Sequence, residues 1–325
     1  MKNKMKALLG LLLTLTLACY ADVGEFQITC KVVDESGKPM PNVNVGASYM
    51  QSTSLVPTAN TISEKQVNLF TEKDGQLVIN SSMVCNNYVY CGIKPVTGYY
   101  SCDPKEYRFE HVENGKWQPW NPTAEFVLKP IGVRVPMYAK KEWSLAVPED
   151  NKSIGYDLEL GDWVAPYGKG ITSDFIFTLE RKFTSITQAF DATLTLTFHN
   201  DGDGIQSVMS DSSGSALRIP RTAPEDGYEP KLTKRIYRET DTKPIVTDTQ
   251  SNQNYFFRVR TKKNDDGKII SALYGKIEGD IEFWPNGKIR FQYYLNSKLN
   301  SRAMEFDPRQ NLFKNLPPLE RAIAP

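Results

Sequence analysis

His111 and His199 are the only two histidines in a chain of 325 residues, and they lie far apart in sequence. Catalytic schemes and metal sites that draw on several imidazoles therefore have little to work with. Neither histidine belongs to a Gly-x-Ser-x-Gly elbow, so Ser/His/Asp chemistry has no local support. Paired carboxylates for glycoside hydrolysis are set by distance in space and leave no spacing signature, which keeps that chemistry open for the second half of the chain. No catalytic residue, metal ligand or cofactor is assigned.

Binding chemistry has better support. The stretch Gly161-Asp-Trp-Val-Ala-Pro-Tyr-Gly-Lys-Gly170 carries three glycines and a proline, which predict a loop. Trp163, Tyr167 and Lys169 in such a loop supply aromatic faces rimmed by polar groups, the parts of a sugar-stacking or partner-binding surface. The competing structural reading turns Trp163 and Tyr167 inward to cap a sheet edge. A phosphate-binding loop is excluded, because Gly161 and Gly168 enclose six residues instead of four and Lys169 is followed by Gly170. Trp284 is a further ligand candidate, extending an aromatic platform with Tyr294, or else a cross-strand neighbour of Lys288. His199-Asn-Asp-Gly-Asp-Gly204 invites calcium through Asp201 and Asp203. Ile205 and Ser212 stand where further oxygen ligands should be, so the segment reads as a turn.

The first residues speak to compartment. Lys2, Lys4 and Lys6 precede an apolar run from Ala7 to Ala18, too short to span a bilayer and ordered like a secretory signal. Cleavage after Ala21 is the favoured processing. The alternative is lipidation at Cys19, since Leu15-Thr-Leu-Ala-Cys19 is close to a lipoprotein box, and that anchor would be the protein's only tie to a membrane. The expected location is periplasmic, outer-membrane-associated or extracellular. The chain has 39 Lys+Arg against 38 Asp+Glu, for a formal charge of +1. Loss of the signal takes three lysines and no acid, leaving about −2, with no basic excess for nucleic acid. Cys30, Cys85, Cys91 and Cys102 then remain. In an exported chain they read as two disulfides within one domain, while their spacing suits zinc poorly.

The elements that must position these residues are strands. Phe26, Ile28, Cys30 and Val32 alternate with polar residues, so one face of the first strand is apolar. Val43 to Ala47 and Leu77 to Ile79 follow across turns, and no stretch of ten residues has a helical period. Phe175 to Leu179 and Ala192 to Phe198 are further strands, the latter with Leu194, Leu196 and Phe198 inward. In Asp280 to Leu295, a three-residue turn Pro285-Asn286-Gly287 pairs Phe283 with Ile289 and Glu282 with Arg290, keeping the faces unmixed. The same logic around Asn264 to Lys268 pairs Val259 with Leu273. The expected fold is all-β, with a signal over 1–21, a first sandwich over 22–131, a second antiparallel sandwich or jelly-roll-like domain over 132–313, and a tail over 314–325.

The segments Lys31-Val-Val-Asp-Glu-Ser-Gly-Lys-Pro-Met-Pro-Asn-Val-Asn-Val45, Phe70-Thr-Glu-Lys-Asp-Gly-Gln-Leu-Val-Ile79 and Thr97-Gly-Tyr99 resemble the carboxypeptidase regulatory-like family over about residues 24–130. The resemblance implies a transthyretin-like or Ig-like sandwich appended to exported proteins, usually an accessory without catalytic residues, in a fold group that includes carbohydrate binders. Asn42 replaces the family's usual glycine after the proline-rich turn. No family is recognised from residue 131 onward.

The resulting expectation is a non-catalytic, exported envelope module that binds a glycan or another envelope protein. A glycan-active enzyme with a carboxylate pair in the second domain and a purely structural envelope protein are the alternatives.

Overall fold

The structure, a computed structural model, describes residues 22–325, so the signal segment and Cys19 lie outside the described residues. The chain divides into two compact units. Of the described residues, the first takes in 22–33, Lys38–Lys94 and Pro104–Phe126; the second takes in Asp34–Gly37, Pro95–Asp103 and Val127–Pro325. Both are built of strands, as the alternating pattern requires, and the described residues contain one short 3-10 turn, Pro318–Glu320, within the tail.

In the first unit the strands are β1 (Gly24–Asp34), β2 (Asn44–Ser52), β3 (Ile62–Phe70), β4 (Gln76–Val84), β5 (Tyr88–Ile93), β6 (Lys105–Arg108), β7 (His111–Glu113), β8 (Lys116–Gln118) and β9 (Thr123–Leu128). The sheet runs β6-β5-β2-β4-β1-β8-β7, with β3 added on β2 and β9 on β1. Period two does the sorting: Phe26, Ile28, Cys30 and Val32 are fully buried, and Val45, Leu77, Ile79 and Val89 join them. Phe26 meets Tyr49 edge-on at 5.0 Å and Phe109 at 6.1 Å, so the sheet folds over its own core.

No two of Cys30, Cys85, Cys91 and Cys102 lie at disulfide distance, so the expected pair of disulfides is not shown. Cys30 and Cys91 meet in the first unit's core, where a hydrogen bond between them and burial push the Cys91 thiol far above its ordinary value. They serve there as small apolar fillers. Cys85 is buried just after β4, and burial raises its thiol too. Cys102 falls in the second unit, where it bridges Ser215 and its Sγ lies 3.3 Å from the Val127 carbonyl. The four therefore do not form one domain's disulfide framework.

The second unit contains β10 (Val135–Ala146), β11 (Ser153–Asp157), β12 (Asp162–Trp163), β13 (Phe175–Lys182), β14 (Phe190–Thr197), β15 (Gly204–Met209), β16 (Lys231–Arg238) and β17 (Val246–Thr247). It continues with β18 (Gln253–Lys263), β19 (Ile269–Ile277), β20 (Glu282–Phe283), β21 (Lys288–Asn296) and β22 (Phe306–Asn311). One sheet has the order β15-β18-β19-β21-β10-β22, with β20 on β21; the other runs β12-β11-β13-β14-β16-β17. Their inner faces share one core. Phe175, Phe177, Leu194 and Leu196 from the six-stranded sheet pack with Phe257, Ile289, Phe291 and Tyr293 from the seven-stranded one, and Phe175 lies 5.0 Å from Phe257. This is an antiparallel sandwich with one parallel pair, β10 with β22.

The registers agree with the turn chemistry. Glu282 pairs with Arg290 and Phe283 with Ile289. Gly287 takes the left-handed position at φ 90°, which glycine adopts without strain. Val259 pairs with Leu273 and Phe257 with Gly275.

Candidate functional site

The loop that the sequence singles out turns inward. Asp157 and Tyr156 on β11 pair with Asp162 and Trp163 on β12, so Trp163 is a strand residue facing the core. Its ring is 4 % exposed, lies edge-on to Tyr156 at 5.4 Å and to Phe177 at 5.9 Å, and donates from Nε1 to the Ala146 carbonyl at 3.1 Å. Trp163 is thus core and not a ligand contact, a correction to its place among the ligand candidates. The loop beyond it is drawn tight by Asp162, whose carboxylate accepts the Trp163 and Lys169 amides at 2.8 and 2.9 Å. Gly168 is required by this closeness, because a Cβ there would come within 2.4 Å of the Trp163 carbonyl. Tyr167 and Lys169 stay exposed, with the Tyr167 hydroxyl donating to Glu149 at 2.7 Å.

The same end of the core holds the most conspicuous carboxylates. Arg260 on β18 forks onto Asp174 at 2.8 and 2.9 Å and reaches Glu159 at 2.8 Å and Asp157 at 3.6 Å. Burial raises the Asp174 pKa despite the guanidinium. Burial acts the same way on Asp157, but backbone amides of Glu159, Leu160, Ile171 and Thr172 overcome it and hold its carboxyl below the usual value. Opposed shifts in neighbouring carboxylates are the pattern of an acid and a base. Here, however, both Asp157 oxygens accept two backbone amides each, and both Asp174 oxygens are taken by Arg260, with Leu158 N on one of them. They are buried and lock the loop from within. Nearby, Tyr156 donates to Glu142 at 2.5 Å and Lys140 meets the same oxygen at 2.6 Å, again inside the core.

Outward-facing aromatics gather elsewhere, on the solvent side of the seven-stranded sheet. Trp284 leaves β20 at the turn, its amide donating to Lys288 O at 2.9 Å, and is 37 % exposed. Trp143 on β10 is 41 % exposed. Arg290 on β21 stands between them, its guanidinium carbon 5.4 Å from the Trp143 ring and 5.5 Å from the Trp284 ring. Glu282 holds Arg290 in an ion pair, and Lys141 Nζ sits 3.8 Å over Trp143. Gln292 adds an amide beside them, donating to Glu278 at 3.1 Å. Tyr294 is absent from this surface: it is fully buried beneath Met137, Ala139, Phe306 and Ala322, which corrects the Trp284–Tyr294 platform.

Trp143 is the residue that sequence reading misses. Strand β10 pairs with β21 regularly from Tyr138–Leu295 to Glu142–Phe291, then shifts register before Leu145–Ile289. Trp143 sits in that irregularity, where a bulge re-aims side chains, and only the pairing with β21 brings it to Arg290.

The remaining candidates resolve simply. Asp203 accepts amides from Thr261 at 2.8 Å and Asn200 Nδ2 at 2.8 Å, and Asp201 pairs with Lys263 at 2.6 Å, so the predicted turn is a turn. Among the described residues no group of three or more His, Cys, Asp or Glu side chains is placed to hold a metal ion. His111 and His199 are exposed.

No family model matches the chain, and no curated protein matches it. Family membership in the regulatory-like group is accordingly not shown, and the resemblance is compatible only with the β-sandwich architecture. Solved structures give remote likenesses. A DUF3823 family protein from Parabacteroides merdae is 8 % identical, with a TM-score of 0.20, over 88 % of this chain and 100 % of that one. The C-terminal domain of the shaft pilin SpaA from Lactobacillus rhamnosus is 10 % identical, with a TM-score of 0.23, over 33 % of this chain and 98 % of that one. BcpA, the major pilin subunit of Bacillus cereus, is 9 % identical with a TM-score of 0.22, over 87 % of this chain and 98 % of that one. Likenesses of this size assign no family.

Proposed function

We propose that the protein is an exported, non-catalytic envelope module that binds glycan through the Trp143–Arg290–Trp284 surface. The observation that carries this reading is the pair of exposed tryptophans flanking one guanidinium on a rigid sheet. Large aromatic faces held open to water cost solvation, and they gain most from a partner with apolar C–H faces and hydroxyl edges, as pyranose rings have. Arg290, Glu282, Gln292 and Lys141 supply hydrogen-bond donors and acceptors around the rings. Export is supported by the lysines and apolar run of the first residues. The carboxylates at Arg260 favour a structural role over the enzymatic alternative, since their oxygens are already occupied.

The test is retention of the full chain on a panel of insoluble and soluble polysaccharides, repeated with Trp143→Ala and Trp284→Ala. Retention on at least one polysaccharide that falls at least tenfold in either variant, equivalent to about 1.4 kcal/mol, is expected. Undiminished retention in both variants removes the platform, and release of reducing sugar would favour the enzyme.

A further inference from the structure

A separate groove lies on the six-stranded sheet of the second unit, where β13, β14 and β16 end together. Lys182 pairs with Asp191 across β13 and β14, and Phe190 and Asp191 pair with Arg238 and Tyr237 across β14 and β16. The groove has a volume of ≈ 540 Å³, within the range of small-ligand sites.

Its charges are unevenly committed. Arg235 is spent: it forks onto Asp191 at 2.9 and 2.8 Å and lies 4.4 Å over the Tyr237 ring. That pairing holds the Asp191 carboxyl below its ordinary value, so it stays ionised. Lys182 makes no ion pair among the described residues, and its field also falls on Asp191. Arg238 donates from Nη1 to the Ile186 carbonyl at 2.9 Å, which fixes the plane of its guanidinium. Its Nε, shielded from water, has no hydrogen-bond partner among the described residues. Arg238 also lines the groove, and a guanidinium there suits a carboxylate. Phe190, edge-on to Phe183 at 5.8 Å, gives the groove an apolar floor. Glu239 at the rim can accept hydroxyl hydrogens.

The geometry points to a second binding site here, for a saccharide that carries a carboxylate, with Arg238 and Lys182 receiving the anion and Phe190 and Tyr237 the ring. Three cations against Asp191 and Glu239 leave a single net positive charge, which matches the one carboxylate of a uronate unit seated in the groove, the other units of an oligosaccharide lying outside it, better than a dianionic phosphate. The site is independent of the tryptophan surface.

Calorimetric titration of the full chain with trigalacturonate, its neutral galactose counterpart and inorganic phosphate tests this. Trigalacturonate should bind, its affinity should fall with added salt, and Arg238→Gln should weaken it roughly tenfold. Lys182 is exposed, so Lys182→Gln, whose melting temperature should stay unchanged, guards against a folding defect and should weaken binding several-fold. The Trp143→Ala/Trp284→Ala double variant should bind trigalacturonate normally, which separates this site from the platform. Equal binding of the neutral trisaccharide, full competition by phosphate at equal concentration, or unchanged affinity in both charge variants would each overturn it.

Discussion

Trp163 ends a short strand and Trp284 directly follows one, each next to a glycine-containing turn, yet one is core and the other is surface. Trp163 pairs with Tyr156 on an inward-facing position, and its indole N–H is satisfied by Ala146 O. Trp284 begins a turn whose register sends Phe283 inward and leaves the next residue outside. The difference teaches that composition nominates an aromatic and strand register decides its role. A glycine-rich loop with Trp and Tyr looks like a binding loop. Here its glycines instead allow the backbone to fold against Asp162 and draw the ring in.

That contrast can be broken experimentally, beginning where the effect should be greatest. Trp163→Ala should cost about 3–5 kcal/mol, read as a lowered denaturant midpoint of the second unit, because it empties a core position. A loss below about 1 kcal/mol would return Trp163 to the surface. Next, Arg260→Gln should cost about 3 kcal/mol, since it strands the fully buried Asp174 carboxylate without its partner. Gly287→Ala should cost about 1 kcal/mol, because the position has φ 90° and a Cβ would stand 2.8 Å from Arg181 Nη1. Trp284→Ala should change stability least, by about 0.5 kcal/mol, while reducing glycan retention.

Acid should also discriminate between the regions. The Asp157 carboxyl is held below its ordinary value in the fold, so its contribution is present above about pH 4 and is lost as pH falls through its folded value. Asp157→Asn should therefore flatten the loss of stability below about pH 4, as followed by denaturation at stepped pH. Asp174, shifted upward, acts with the opposite sign: its ionisation as pH rises weakens the fold.

Much of the fold is legible in the sequence for a simple reason. Period two in Phe26 to Val32 and in Ala192 to Phe198 is imposed by the pleat, and Pro285-Asn286-Gly287 admits one register that keeps Phe283 and Ile289 together. What escapes is whatever depends on two strands distant in sequence. Trp143 and Arg290 meet only because β10 lies beside β21, and the bulge that presents Trp143 has no local marker. The four cysteines mislead for a related reason, since the chain between Pro95 and Asp103 joins the second unit and takes Cys102 with it. Tyr294 looks like a neighbour of Trp284 until the tail brings Ala322 over it.

Iodide quenching of tryptophan fluorescence, with and without the polysaccharide retained most strongly, tests the central claim most directly. Trp117 and Trp163 are buried and Trp120 is half-buried, whereas Trp143 and Trp284 are the most open to the quencher. Bound glycan should protect the wild-type protein from iodide, and the Trp143→Ala/Trp284→Ala variant should show no protection at the same ligand concentration. Equal protection in that variant would place the glycan elsewhere and contradict the account.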